Sequence, residues 1–311
     1  MKHVISISLG SSERDHKVET EILGEQFIIE RRGTDGDLEQ ATSLFNELDG
    51  HVDAFGLGGI DLYVYAGEKR YTFRDARKLI KGIRHTPVVD GSGLKNTLER
   101  KAVGYIDQEY GYNLKGKKVL MVCAMDRFGM AQALIEAGCD IIFGDIVFAL
   151  GLPIPLKRIE SLEKLARVLC PVVTKLPFKL LYPTGNKQEE NSKDKYRRFY
   201  EDADLIAGDF HYIKRYLPED VSGKAILTNT VTEKDVEMLK ERGLNILITT
   251  TPDLNGRSFG TNVMEGVLVS LAQKELAELN PEDYEQLIDE IGFTPRVEVL
   301  NQIEETESVT V

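Results

Sequence analysis

The stretch Lys118-Val119-Leu120-Met121-Val122-Cys123-Ala124-Met125-Asp126-Arg127-Phe128-Gly129 decides the fold. Lys118 to Cys123 is a nearly unbroken apolar run, the pattern of a strand buried on both faces of a parallel sheet. From Gly129 to Ala137 the period changes. Met130, Ala133, Leu134 and Ala137 fall at i, i+3, i+4 and i+7, on one face of a helix. Gly138 suits its C-terminal cap. Asp140 to Asp145 then reads as a second apolar strand, which completes a β-α-β unit.

The alternation continues downstream. A helix is expected over Leu162–Leu169, and strands over Cys170–Thr174, Ala203–Gly208, Lys224–Thr228 and Asn245–Thr250. A further helix spans Glu233–Arg242, capped by Gly243, and the polar stretch Gly185–Arg198 reads as a solvated loop entering a short helix. Six strands alternating with helices predict a doubly wound, Rossmann-like parallel sheet. Upstream, Gly111–Lys117 reads as a hinge. Before it come strands at Val4–Leu9, Gln26–Glu30, Ala54–Leu57, Leu62–Tyr65 and Pro87–Val89, and helices at Leu38–Leu48, Arg74–Ile83 and Leu94–Glu109. Tyr63–Phe73 reads as a hairpin turning near Gly67. The fold class is therefore α/β with two domains. Residues 1–112 form an N-terminal α/β substrate domain and residues 113–275 a Rossmann-like nucleotide-binding domain. Residues 276–311 supply a C-terminal helix, Pro281–Ile291, packing back on the first domain, with a frayed tail from Glu304.

Composition supports a folded chain of this size. Its 311 residues are 42% apolar and 29% charged, enough apolar content for two cores. The net charge of −12 argues against a general binder of nucleic acid or of anionic membranes, which needs a positive surface. No apolar run reaches the roughly 18 residues of a membrane span. Three cysteines without a CxxC pair point to a reducing, cytoplasmic setting. The histidines are too scattered for a metal site, and no GxSxG elbow is present. A small-molecule substrate is the expected partner, with a homodimer as a candidate assembly.

Four segments concentrate residues that shape sites. The turn Ala124–Gly129 occupies the place of a dinucleotide-binding loop, where Asp126, Arg127, Phe128 and Gly129 are candidate cofactor contacts. Gly129 keeps only the third glycine of that fingerprint, and Asp126 sets a carboxylate where a diphosphate would lie. Asp145, 21 residues after Ala124, has the spacing of the acid that binds ribose hydroxyls, which favours NAD over NADP. S-adenosylmethionine, which has no diphosphate, also suits such a turn. A plain strand–turn–helix junction accounts for the same residues. Gly208, Asp209 and Thr250 lie at the carboxyl ends of later strands and are further cofactor candidates, with His211 beside them. Gly56–Tyr63 packs three glycines around Asp61, a candidate substrate ligand or a turn cap. Pro87–Thr97 runs strand, glycine loop, helix start. There Asp90 and Lys95 form a candidate proton-transfer pair, and Ser92, Asn96 and Thr97 are candidate substrate ligands; a capped helix with an ordinary surface lysine is the alternative. The segment Thr249–Glu265 follows the last strand, and Arg257, Thr261, Asn262 and Glu265 are placed to face a cleft, Asn262 as a substrate ligand.

Val4–Ser12 with Gly33–Leu38, Gly56–Tyr63, Pro87–Arg100, Met125–Gly129 and Gly256–Glu265 resemble bacterial proteins labelled quinate 5-dehydrogenase, over nearly the whole chain. The resemblance implies a shikimate-dehydrogenase-like plan: a substrate domain, a nucleotide domain and a returning C-terminal helix. It further implies an oxidoreductase passing hydride between NAD and a cyclic hydroxy acid in an interdomain cleft, with a Lys–Asp pair acting on the ring hydroxyl. Two departures are visible: the GxGGxG-type loop is absent, and Asp90 precedes Lys95. A methyltransferase-like enzyme using S-adenosylmethionine and a non-catalytic small-ligand-binding protein are the other readings of the same features.

Overall fold

Apolar residues on both faces of Lys2–Ser8 make this strand, β1, the centre of the first sheet. The computed structural model describes residues 1–66, 69–149, 151–177, 193–251, 253–254, 257–258 and 260–302. The first sheet contains β1, β2 (His16–Ile22), β3 (Glu25–Gly33), β4 (Ala54–Gly58) and β7 (Val88–Val89), in the order β2-β3-β1-β4-β7. All pairings are parallel except that of β2 with β3. Strand β2 is not apparent in the sequence because its side chains are mostly polar, which suits a sheet edge. It is held to β3 by a two-residue turn, Leu23-Gly24, with both residues at positive φ. The expected hairpin forms separately from β5 (Tyr63–Ala66) and β6 (Lys69–Thr72). Its tip at Gly67 lies outside the described residues.

Helices cover both faces of this sheet. On one face, α1 (Leu38–Leu48) and α2 (Arg74–Leu79) set Ala41, Phe45, Ala76 and Leu79 against Ile5, Ile7, Phe55 and Leu57. Helix α1 starts where the sequence places it because the Asp37 carboxylate accepts from the backbone N–H groups of Glu39 and Gln40. The other face is covered by α3 (Ser92–Gly104) and by elements from much later in the chain, reached below.

The second sheet is formed by β8 (Lys118–Met121), β9 (Asp140–Phe143), β10 (Leu205–Ala207), β11 (Ala225–Thr228), β12 (Ile246–Thr249) and β15 (Arg296–Val299), in the order β15-β12-β11-β10-β8-β9. The first five are parallel and β15 runs antiparallel to β12. Helices α4 (Phe128–Glu136) and α5 (Ile159–Val173) lie on one face. Helices α6 (Lys193–Glu201), α7 (Phe210–Tyr216) and α8 (Glu233–Glu241) lie on the other, so the sheet is doubly wound as expected. The short strands β13 (Asp253–Leu254) and β14 (Arg257–Ser258) pair with each other.

One expected strand is helix. Cys170–Thr174 is β-branched and apolar, yet Leu162, Ala166 and Cys170 are buried at four-residue spacing, and the helix α5 continues to Val173 through Pro171. The six-stranded count is restored by β15, a charged antiparallel edge from the C-terminal segment. The polar Gly185–Arg198 stretch is described only from 193, where α6 begins, and the tail from Glu304 lies outside the described residues.

Two helices from late in the chain return to the first sheet. Helix α9 (Thr261–Leu271), placed by the sequence in the second domain, packs on the first sheet with Val263, Met264 and Val267. It lies beside α10 (Pro281–Ile291), whose Tyr284 and Ile288 complete the same core. Helix α3 is shared: Leu94 and Leu98 face the first sheet, whereas Val103 belongs to the core of the second. Among the described residues no helix is long and apolar enough to cross a membrane.

A buried acid lies where these elements meet. Glu265 accepts from the Gly91 N–H (2.7 Å) and from the Tyr284 hydroxyl (2.9 Å), so it is satisfied but dry. Burial, reinforced by the charge of Asp90, pushes its carboxyl up to about 8. The folded state therefore holds the proton more tightly than the unfolded chain. Stability from this group is full below the unfolded carboxyl range and is lost as pH rises through about 8. Glu265→Gln is expected to flatten that decline, as read from urea midpoints at several pH values. An unchanged slope would remove Glu265 as its source.

Candidate functional site

The carboxyl ends of the parallel strands in both sheets point toward the joint between the domains. In the second sheet the connection leaving β8 runs to β9 on one side, whereas the one leaving β10 runs to β11 on the other. The gap between β8 and β10 is thus the switch point at which such sheets hold ligands. Asp126 and Arg127 follow β8, and Asp209 follows β10. From the first domain, the loop after β4 brings Asp61, and the start of α3 brings Lys95 and Glu99.

These side chains form one charged network. Arg127, 2% exposed, pairs with the equally buried Glu99 and with Asp209 at 3.1 Å, and lies 3.8 Å from Asp126. Lys95 pairs with Asp61 at 2.9 Å. Burial favours neutral forms of Lys95 and Arg127. The carboxylates around them outweigh it, so both are held firmly cationic: Lys95 chiefly by Asp61 and Asp126, Arg127 chiefly by Glu99 and Asp126. Glu99 is pushed up to about 7 by burial, against the pull of Arg127 and Lys95, and its Oε2 has no hydrogen-bond partner. Asp126 is raised by burial, and Asp209 is lowered because Arg127 and His211 offset its burial.

Lys95 therefore takes a different partner from the one expected. Asp90 is 5% exposed and accepts from the N–H groups of Leu62, Tyr63 and Ser92, so it braces two loops instead of facing Lys95. Asp61, expected as a substrate ligand, is the partner of Lys95. Ser92 stands at the first turn of α3, whereas Thr97 is buried. The Asn96 Oδ1 accepts from Arg100 Nε and lies against Gly129. The role of Gly129 is close helix contact, since a Cβ there would meet Asn96. Asn262 donates to Ser6 Oγ at 2.7 Å and packs over Gly56. Thr250 is buried with its hydroxyl unpaired, and Arg257 carries no described side chain.

The cofactor turn is occupied by its own chain. The Asp145 carboxylate accepts from the Ala124 and Met125 N–H groups, at 3.1 and 2.9 Å, and burial pushes it up to about 6. It is folded beneath the turn and is not offered to a ribose. Phe128 packs into the core of the second sheet. Gly208 adopts φ 137°, and Asp209 caps α7 through the His211 N–H while receiving Arg127 and Asn229. The N–H groups of Ala124, Met125 and Arg127, the acid after β9 and the arginine have protein partners, so Asp145 is not placed to hold a ribose, whereas α4 starts without a side-chain cap. Among the described residues no group of three or more histidine, cysteine or acidic side chains is arranged to hold a metal ion.

Residues 93–300 match the family model described as domain of unknown function DUF8754, and residues 3–90 match domain of unknown function DUF8753. The chain belongs to the DUF8754 family. No curated protein matches the DUF8754 chain. Solved structures that it resembles include AraP, an arabinose binding protein from Geobacillus stearothermophilus, at 9% identity, covering 80% of this chain and 81% of that one with a TM-score of 0.38. L-tryptophan dehydrogenase from Nostoc punctiforme is 15% identical, with 86% and 66% covered and a TM-score of 0.35. A glutamate dehydrogenase variant is 13% identical, with 85% and 64% covered and a TM-score of 0.40. Likenesses this distant say nothing about the ligand of the DUF8754 chain.

Two surface grooves lie away from the charged network. One, of about 620 Å³, runs between α1 and α2 along Leu38, Thr42, Asn46 and Leu79. The other, of about 660 Å³, lies beside β6 and the end of α5. Glu39, Asp75 and Lys78 also line the first, and Lys69, Arg70, Arg74 and Lys175 line the second.

The sequence reading missed Glu99 and the Arg127 pairs. A glutamate one helical turn after Lys95 on a mixed-polarity helix gives a weak signal, and nothing local announces that Arg127 reaches it from another domain.

Proposed function

We propose that this protein binds a small polyhydroxylated molecule at the joint between its two domains, with Asp61 and Lys95 as the groups that grip it. The observation that carries the proposal is the 2.9 Å Lys95–Asp61 pair, whose side chains retain 14% and 28% exposure beside the sealed Arg127–Glu99 pair. Lys95 is a permanent donor, suited to hold a hydroxyl oxygen and to stabilise negative charge that develops on it. Asp61 is an acceptor for a hydroxyl proton. The surplus of acids over bases around Lys95 and Arg127 favours donors on the ligand, as a polyol supplies. Cyclic hydroxy acids such as quinate remain the substrate class that the resemblance names. The acid after β9 serves the N–H groups of the turn, so hydride transfer to NAD is not part of the proposal.

A thermal-shift screen of quinate, shikimate, inositol, NAD, NADP and S-adenosylmethionine tests it, since a ligand of the folded state raises its stability by mass action. A polyhydroxylated compound is expected to stabilise the chain, and the nucleotides are not. Removing one charge-assisted hydrogen bond, by Lys95→Met or Asp61→Asn, is expected to weaken that ligand by about ten- to a hundredfold. Unaltered affinity in both variants would move the site elsewhere. Saturable stabilisation by NAD would restore the dehydrogenase reading.

A further inference from the structure

At the rim of the same joint, Arg14 and His211 meet. Arg14 ends the short turn after β1 in the first domain, and His211 stands in the first turn of α7 in the second. The Arg14 Nη1 lies 3.0 Å from the His211 Nε2. A guanidinium has only donors, so it can face this nitrogen only while the imidazole is neutral and offers a lone pair. Two groups able to carry positive charge are thus in contact across the domains, and no carboxylate lies within ion-pair distance of either side chain among the described residues.

The carboxylates in the neighbourhood are engaged elsewhere. Asp15 accepts from Arg31 Nη1 at 2.7 Å and from the Gly33 N–H. Asp35 accepts from the N–H and hydroxyl of Ser12. Asp209 receives Arg127, Asn229 and the His211 backbone N–H. Arg31 adds a further cation close enough for Arg14 to depress its ionisation, after the larger effect of its own burial. Among the described residues Arg14 is therefore left without an ion-pair partner, beside an imidazole whose nearest carboxylate, Asp209, is held by Arg127 and Asn229.

Resting on the ligand reading above, we infer that the ligand also carries an oxyanion, a carboxylate or a phosphate, and that Arg14 and His211 grip it from the two domains at once. The planar guanidinium matches either oxyanion in a forked geometry. The imidazole completes the grip by presenting a ring N–H to the oxyanion. His211 then faces the Arg14 guanidinium and the Asp209 carboxylate, and the bound oxyanion screens the first. Because the two residues belong to different domains, the same anion ties the domains together.

Titration calorimetry on the full chain with inorganic phosphate, malonate and inositol tests this. At least one of phosphate and malonate is expected to bind saturably, and the tighter of them identifies the kind of oxyanion. Arg14→Gln is expected to weaken it about tenfold or more while leaving inositol unaffected. His211→Gln is expected to weaken the same anion by about tenfold while leaving inositol unaffected. Absence of saturable binding by both anions, or equal binding in Arg14→Gln, overturns the oxyanion site. If inositol binds and is lost in Asp61→Asn, the cleft reading survives that failure. Anion binding that depends on Arg14, with no polyol bound, supports the rim site and rejects the Asp61–Lys95 grip.

Discussion

Replacing Arg127 with methionine is expected to destabilise the fold by about 3–5 kcal/mol, the usual cost of removing one partner from a buried charge pair. Arg127 is the cation at the centre of a dry cluster and touches Glu99 on α3 and Asp209 after β10. Without it Glu99, 1% exposed and already short of a partner for Oε2, must either stay charged in an apolar setting or take up a proton. Urea unfolding at neutral pH measures the loss. The deficit is expected to shrink in acid, because protonation removes the charge that the variant leaves uncompensated. The double replacement Arg127→Met with Glu99→Met is expected to recover much of the stability, since an apolar pair of similar volume requires no desolvated charge. A single-variant loss below about 1 kcal/mol would show that the cluster does not hold the domains together.

The second large effect concerns Gly91, the residue before α3. Its φ of 92° is left-handed, and a Cβ there would lie 2.9 Å from the Asn262 backbone nitrogen and 3.1 Å from the Thr261 carbonyl carbon. Those atoms start α9 and cannot yield as a flexible side chain would. Gly91→Ala combines backbone strain with overpacking and is expected to cost about 2–4 kcal/mol. Gly104, at the other end of α3, has an ordinary helical φ of −59° and nothing within reach of an added Cβ. Gly104→Ala is expected to be neutral or stabilising by up to about 1 kcal/mol. Equal denaturation midpoints for the two variants would contradict the close approach of α9 to Gly91.

Elements governed by local chemistry were legible in the sequence. The helix from Leu38 was readable from its apolar period, and Asp37 supplies its cap. The helix from Pro281 carries a proline at its start, a capping box between Asn280 and Asp283, and Gly292 in the left-handed conformation at its end. The parallel strands from Lys118, Asp140 and Asn245 were readable because burial on both faces leaves an apolar run. Edge strands β2 and β15 were not, because charged residues alternate with apolar ones along them and no apolar run forms. The strand expected at Cys170 fails because a short β-branched run carries no period of its own, and the helix before it decides the outcome.

The site was legible as a set of residues and not as a set of partners. Asp61, Lys95, Asp126, Arg127 and Asp209 could each be picked out by their place after a strand. Which of them meet depends on contacts between distant segments, such as Asp61 with Lys95 or Arg127 with Glu99, and no spacing rule encodes these. Asp145 shows the reverse problem. Its distance from the turn suits a ribose ligand, yet the carboxylate serves the N–H groups of the turn itself. Arg14 and His211, 197 positions apart, meet only once both sheets are assembled.

The late return of α9 and α10 has a consequence for biosynthesis. A ribosome that has completed residues 1–90 has made every strand of the first sheet and the helices on one of its faces. The opposite face, with Val4, Ala54 and Val89, is met first by α3 and is completed only when the segments from Thr261 to Ile291 emerge. In the interval the nascent chain must keep a wide apolar surface from sticking to its neighbours, a task that falls to chaperones or to transient cover by the growing second domain. The first ninety residues are a unit of sequence without being a unit of folding, and a fragment ending there is expected to aggregate.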